Sequence, residues 1–185
     1  EIALHRDLLE IGDSHDPEDP YFNDFRDNVL AQYGVDTVED LPVDYSGLVS
    51  IEGEKLTTNI YADSARRQAA LEEEQNAFVH RFSVLSPLIA IRQLSMALAG
   101  SDPAAHLDFL NQAEAFRYDF VQQLNRMQAD LLPGVGGEDP RISAENWKEI
   151  PRFSYQSSDR LDRSNRLVWP FAVLLGRLAA IAAAA

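Results

Sequence analysis

Along most of the chain apolar residues recur every three or four positions, but in one short stretch they fill nearly every position. Residues 86–100 (SPLIAIRQLSMALAG) are interrupted only by Arg92, Gln93 and Ser95. A segment apolar on all sides predicts a helix enclosed by other elements or by lipid. Both ends are marked. Ser86 can cap with its hydroxyl, Pro87 suits the first turn, where no backbone donor is needed, and Gly100 can take the left-handed conformation that stops a helix. About 13 helical residues span roughly 20 Å, short of the roughly 30 Å hydrocarbon core of a bilayer, so the pattern predicts a protein core with Leu94 buried in it. Arg92, the one charge, then needs a carboxylate or carbonyl oxygens beside it.

The other elements follow from periodicity and punctuation. Residues 2–11 read as a helix stopped by Gly12, and residues 13–20 (DSHDPEDP) as an irregular acidic loop whose Asp16 or Asp19 caps the next element. Residues 20–33 carry Tyr21, Phe22, Phe25, Val29, Leu30 and Tyr33 at helical spacing, with Gly34 closing the segment. Residues 35–55 lack sustained alternation and read as extended or looped. From Leu56 to Leu85 neither proline nor glycine occurs, and Leu56, Ile60, Leu71, Phe78, Phe82 and Leu85 suit one helical face with a polar middle. Asp102 and Pro103 then restart a helix in which Phe109, Ala113, Phe116, Phe120, Leu124, Met127 and Leu131 form a stripe for a neighbouring helix. Residues 138–165 read as a connector with a helical turn near 143–149, docking Trp147 and Ile150, and an aromatic pair of Phe153 and Tyr155. Residues 167–185 are apolar except for Arg177, which predicts the beginning of a membrane helix. The alternative is an amphipathic helix packed on the bundle.

Composition narrows the class. With 185 residues, 45% hydrophobic, the chain can bury a core without staples. It contains no cysteine, which excludes disulfides, thiolate metal sites and a cysteine nucleophile. The net charge of −14 is unevenly distributed: residues 1–54 hold 15 acids and two arginines, whereas residues 55–185 hold 15 acids and 14 basic residues. An acidic front half argues against nucleic acid as a partner, since phosphate binding needs clustered Lys and Arg.

No catalytic set emerges. Residues 13–19 offer carboxylates and His15 as ligands for a divalent ion but lack the spacing and central glycine of a helix-flanked calcium loop, so they read as a solvated loop. His5, His15, His80 and His106 show no zinc-binding spacing. Tyr45-Ser46-Gly47 reads as a turn, not a nucleophile elbow, and the glycines at 134–137 as a hinge or loop, not a phosphate cradle. Glu72, Glu73 and Glu74 beside Arg66 and Arg67 read as a solvated helix face. Arg152, Arg160, Arg163 and Arg166 precede the apolar tail, where lipid headgroups would meet them. Such arginines ordinarily mark a cytoplasmic flank, whereas the acidic body suits the outer face.

Three stretches carry a resemblance: ALHRDLLE with the nearby HDPEDP, VEDLPVDYSGLVSIEGEKLTTNIY at 38–61, and LSPLIAIRQLSMALAGSDPAAHLDFLNQAEAFRYDFVQQLN at 85–125. Together they resemble the membrane subunits of type-2 ATP-binding-cassette (ABC) exporters that carry a large helical insert between their first and second membrane helices. The resemblance implies an extracytoplasmic (periplasmic or extracellular) domain in the cell membrane. It implies a cytoplasmic ABC ATPase as partner through the full-length permease, and a second permease subunit in a dimer. It implies no catalytic, cofactor-binding or metal-binding residues and no enzymatic activity.

The expectation is therefore an all-α, elongated helical bundle with long central helices and irregular connectors. Residues 1–166 would form the extracytoplasmic domain and residues 167–185 the start of a membrane helix or a C-terminal apolar helix. Helices near 56–85, 86–99 and 102–132 would make the main bundle, with two N-terminal helices packed on it. The competing functions are a membrane-tethered helical sensor, which requires a lined cavity near Arg92, and a metal-dependent enzyme using the acidic loop with His5 or His15.

Overall fold

A computed structural model describes residues 12–14, 16, 18–83, 86–132, 142–157 and 160–185. Among them the fold is all-α, without a strand: helices α1 (Pro20–Tyr33), α2 (Tyr45–Ser83), α3 (Pro87–Ala99), α4 (Pro103–Leu131) and α5 (Arg160–Ala184), with short 3-10 turns at Val38–Asp40 and Asn146–Glu149. The helix expected at 2–11 and the glycines at 134–137 lie outside the described residues. The chain divides into two compact units, one made of Glu1–Ala65 and Ala115–Phe153, the other of Arg66–Glu114 and Ser154–Ala185. Helices α2 and α4 contribute to both.

In the first unit α2 and α4 run antiparallel. Asp44 N–H donates to Ala129 O at 2.8 Å, Gln122 Nε2 to Ile51 O at 3.0 Å, and Arg117 meets Glu54 Oε1 at 2.8 Å. The first of these bonds satisfies one of the carbonyls that the C-terminal turn of α4 leaves without an intrahelical donor. Helix α2 begins at Tyr45, eleven residues before the expected Leu56. Asp44 Oδ1 accepts the Gly47 N–H at 2.8 Å and so caps the first turn, and the triplet read as a turn is that first turn. Gly47 is there for proximity: a Cβ on it would lie 2.6 Å from the Ala129 nitrogen. Asp19 caps α1 through Phe22 N–H at 3.0 Å, Gly34 closes it with φ 68°, and Phe25 stacks toward Tyr45 of α2.

The second unit departs further from expectation. Helix α3 has the expected Pro87 and a left-handed Gly100, but Ser86 makes no side-chain cap bond; its carbonyl accepts from Ile89 and Ala90 instead. The helix is not enclosed. It packs against α5, with its small residues Ala90 and Ala97 buried, while Leu94 is half-buried and Leu88, Ile91, Arg92 and Leu98 are exposed. An exposed Arg92 needs no buried counter-ion. The apolar composition was correct, but its partner covers one side only. Helix α2 likewise leaves Leu71 and Phe78 exposed, so its spaced apolar residues do not form a single buried face.

Phe153 and Tyr155 each meet an aromatic ring of α4. In the first unit Phe153 lies 5.4 Å from Phe116, and in the second Tyr155 lies 5.5 Å from Phe109, ring centre to ring centre. Successive side chains of an extended run point opposite ways at one-residue steps, but these two are two apart and each meets a different turn of α4. Trp147, expected to dock, is exposed.

Candidate functional site

The most constrained polar group lies in the second unit. Asp102 Oδ1 accepts the Ala105 N–H at 2.9 Å, which caps α4, and also the Arg166 Nη1 of α5 at 2.8 Å. Both side chains are largely covered, so the pair is worth more than a surface bridge and costly to break. One carboxylate thus starts α4 and ties it to α5. The sequence marked Asp102 as a cap and Arg166 as a headgroup contact. Their pairing across 64 positions has no local signature.

A pocket of about 320 Å³ opens beside this pair, lined by Ala97, Gly100, Asp102, Ala105, Tyr155 and Arg166 among others. Asp102 Oδ2 is buried without a hydrogen-bond partner. The far side is the extended run after Pro151. Gln112 clamps it by donating to Gln156 O at 2.8 Å and accepting the Gln156 N–H at 2.9 Å, and Tyr155 donates to Asp108 Oδ2 at 3.2 Å. Arg166 lines this cavity, and Arg92 is not among its lining residues.

Helix α5 contains the stretch Ser164–Ala184, 21 residues, which among the described residues is long and apolar enough to cross a membrane, with only 6% of it buried. Its covered side is a seam at Arg166, Leu167, Pro170, Val173, Leu174 and Arg177. The exposed side carries Val168, Trp169, Phe171, Leu175, Leu178 and Ile181, with no charge. Arg177, the charge that weighs against a membrane helix, is half-buried on the packed side.

The acidic front of the chain serves local structure. The Asp19 carboxylate receives Phe22 N–H at 3.0 Å and Asp13 N–H at 2.9 Å, and these bonds, Phe22 first, hold its pKa below the usual carboxylate value. Asp16 Oδ1 accepts the Glu18 N–H at 2.9 Å. Tyr21 donates to Glu52 Oε1 at 2.7 Å, and that bond, with some burial, pushes its pKa up to about 12. Burial raises the pKa of Tyr45, with Arg26 opposing. Among the described residues no three His, Asp or Glu side chains gather as metal ligands, and His5 and His15 lie outside that set. Arg66, Arg67 and Glu72, Glu73 and Glu74 are exposed.

A family model described as "Domain of unknown function (DUF3526)" matches residues 1–156. The chain belongs to the DUF3526 family. No curated protein and no solved structure matches it. The DUF3526 match covers α1 to α4, Asp102 and the Gln112–Gln156 clamp, and it ends before α5, so Asp102 pairs with an arginine outside the matched stretch.

Proposed function

We propose that this DUF3526 chain is the extracytoplasmic, non-catalytic domain of an ABC exporter permease, in which α5 is a membrane helix carrying the domain at the outer face. One observation carries the reading: the Ser164–Ala184 stretch of α5 combines the length of a span with an uncharged exposed side, and Arg177 is half-buried on the side of the buried Pro170, where intramembrane charges are tolerated. At about 1.5 Å per residue, 21 residues cover roughly 31 Å, close to one hydrocarbon thickness. The sequence resemblance supplies the transporter context, with a cytoplasmic ATPase and a second permease subunit as partners and the acidic front half as the surface offered to an accessory protein or cargo. Arg166 is committed to Asp102, which weakens the arginine cluster as a cytoplasmic marker. The test is a topology reporter inserted within residues 133–140 of the full-length protein. Signal from the outer face is expected, and signal confined to the cytoplasm overturns the placement.

The pocket at Asp102 and Arg166 favours a second reading, a membrane-tethered sensor that binds a small polar ligand there. A small-molecule thermal-shift screen with Asp102→Asn as control tests it. A ligand whose stabilisation vanishes in the variant supports this reading, and a screen with no shift removes it.

A further inference from the structure

Helix α3 is built inside out for water. Ala90 and Ala97, seven residues apart, form its buried side, at 0% and 3% exposure, while Leu88 is 73% exposed, with Ile91 and Leu98 beside it on the open side. At 100° per residue, Leu88, Ile91 and Leu98 fall within one quadrant, centred about 130° around the helix from the two alanines, while Leu94 is half-buried on the alanine side. A soluble helix pair buries its large side chains and leaves small ones outside. Helices packed in lipid do the reverse, because small residues allow close approach and the bulky apolar ones lose nothing by facing acyl chains.

Three further observations point to lipid as what covers this face. Helix α3 packs on α5, whose Ser164–Ala184 stretch has an open side that is itself uncharged and apolar. The Asp102–Arg166 bridge fixes the Gly100 end of α3 near the start of the Ser164–Ala184 stretch, so α3 lies alongside that stretch and not remote from it. The only charged residue in 86–100 is Arg92, exposed and positive, with no acid to offer a protein partner. An arginine on an apolar face extends its charged end to lipid phosphate while its stem stays in the acyl boundary. With 13 residues, α3 is too short to cross a bilayer, and packed along α5 it reaches only part of the way from the headgroup level into the acyl region.

We infer that α3 is a second lipid-contacting element, seated at the acyl–headgroup boundary beside α5, with Leu88, Ile91 and Leu98 toward hydrocarbon and Arg92 at the phosphates. This rests on the reading of α5 as a membrane helix. Because the chain has no cysteine, single nitroxide labels can be attached at Leu88→Cys, Ile91→Cys and Leu98→Cys, and at Val168→Cys and Leu175→Cys on α5. The labelled full chain is reconstituted in phosphatidylcholine–phosphatidylglycerol vesicles, with helix content checked by circular dichroism. Collision of the label with oxygen, which partitions into hydrocarbon, is compared with collision with a water-soluble nickel chelate.

The expected result is an oxygen-to-nickel ratio on α3 about ten-fold above that at Gln68→Cys, an exposed position of α2, and in the range of α5, because the bilayer interior excludes the aqueous chelate. Nickel access at α3 with oxygen preference at α5 overturns the inference and leaves the membrane helix standing. Exclusion of both reagents at α3 also overturns it, since the cover is then protein, as in a second copy. Nickel access at both helices removes the reading of α5 and the inference with it. Arg92→Glu, which replaces attraction to phosphate by repulsion, should shift the Leu88 and Ile91 labels toward nickel. No change in that variant removes the phosphate contact.

Discussion

The same two helices, α2 and α4, enter two units held together in different ways. In the first unit they are joined by polar contacts at close backbone approach: Asp44 to Ala129, Gln122 to Ile51, and Arg117 to Glu54 and Thr58. The second unit contains one covered ion pair, a side-chain clamp on an extended run, and helices α3 and α5 with large apolar side chains on their open sides. The first unit buries Phe22, Val29, Leu41 and Ala129. The second presents the kind of surface that marks an interaction site, because contiguous apolar area of that kind is rare on a solvated surface. A chain can thus be uniform in secondary structure and still differ between its units in how its large apolar side chains are covered.

The strongest way to break this contrast is Asp102→Ala. It removes the Asp102 partner of Arg166 and uncaps α4, so a loss of about 3 kcal/mol is expected, as for a covered ion pair broken on one side. Denaturant unfolding with hydrogen exchange resolved by peptide should place the loss in the second unit. Equal deprotection of residues 45–65 would mean that the two units unfold as one. Next is Gly47→Ala in the first unit. Its new Cβ would sit 2.6 Å from the Ala129 nitrogen, and separating the two backbones is expected to cost about 1–3 kcal/mol. Unchanged stability would show that α2 and α4 move apart freely.

A smaller effect is expected at Gln122, buried with one hydrogen bond to Ile51 O. Gln122→Leu removes one bond and fills similar volume, so a change within about 1 kcal/mol is expected from the same unfolding assay. A large loss would make the polar joint, and not the packing, the main bond between α2 and α4. The mildest tests are titrations. Tyr21 keeps its proton to about pH 12, so its contribution holds below the free tyrosine value and is lost as pH rises through about 12. Ultraviolet titration should show one tyrosine ionising late, absent in Tyr21→Phe. Asp19 has a lowered pKa, so its cap holds above the free aspartate value and is lost as pH falls through its lower folded value. Asp19→Asn should flatten that acid limb as followed by circular dichroism.

Helix ends were the most legible feature. Asp19, Gly34, Pro87, Gly100, Asp102 and Pro103 all act where local chemistry placed them, because capping is decided within four residues. The start of α2 was missed because Gly47 and Gly53 resemble loop residues, whereas Gly47 is required by a helix distant in sequence. Of the candidate site, the cap at Asp102 was readable and the Arg166 bridge and its pocket were not, since neither leaves a spacing pattern.

The sequence by itself determined that the chain is helical, where most helices begin and end, and that residues 86–100 and 167–185 are apolar. All of these depend on neighbours within a turn or two. Which side of each apolar helix is covered depended on the tertiary structure. Periodicity reports how much apolar surface a helix has, but a helix apolar on every side gives no direction. Only the packing of α3 on α5 turned Ala90 and Ala97 inward, left Leu88 and Ile91 outward, and drew Arg177 to the protected side.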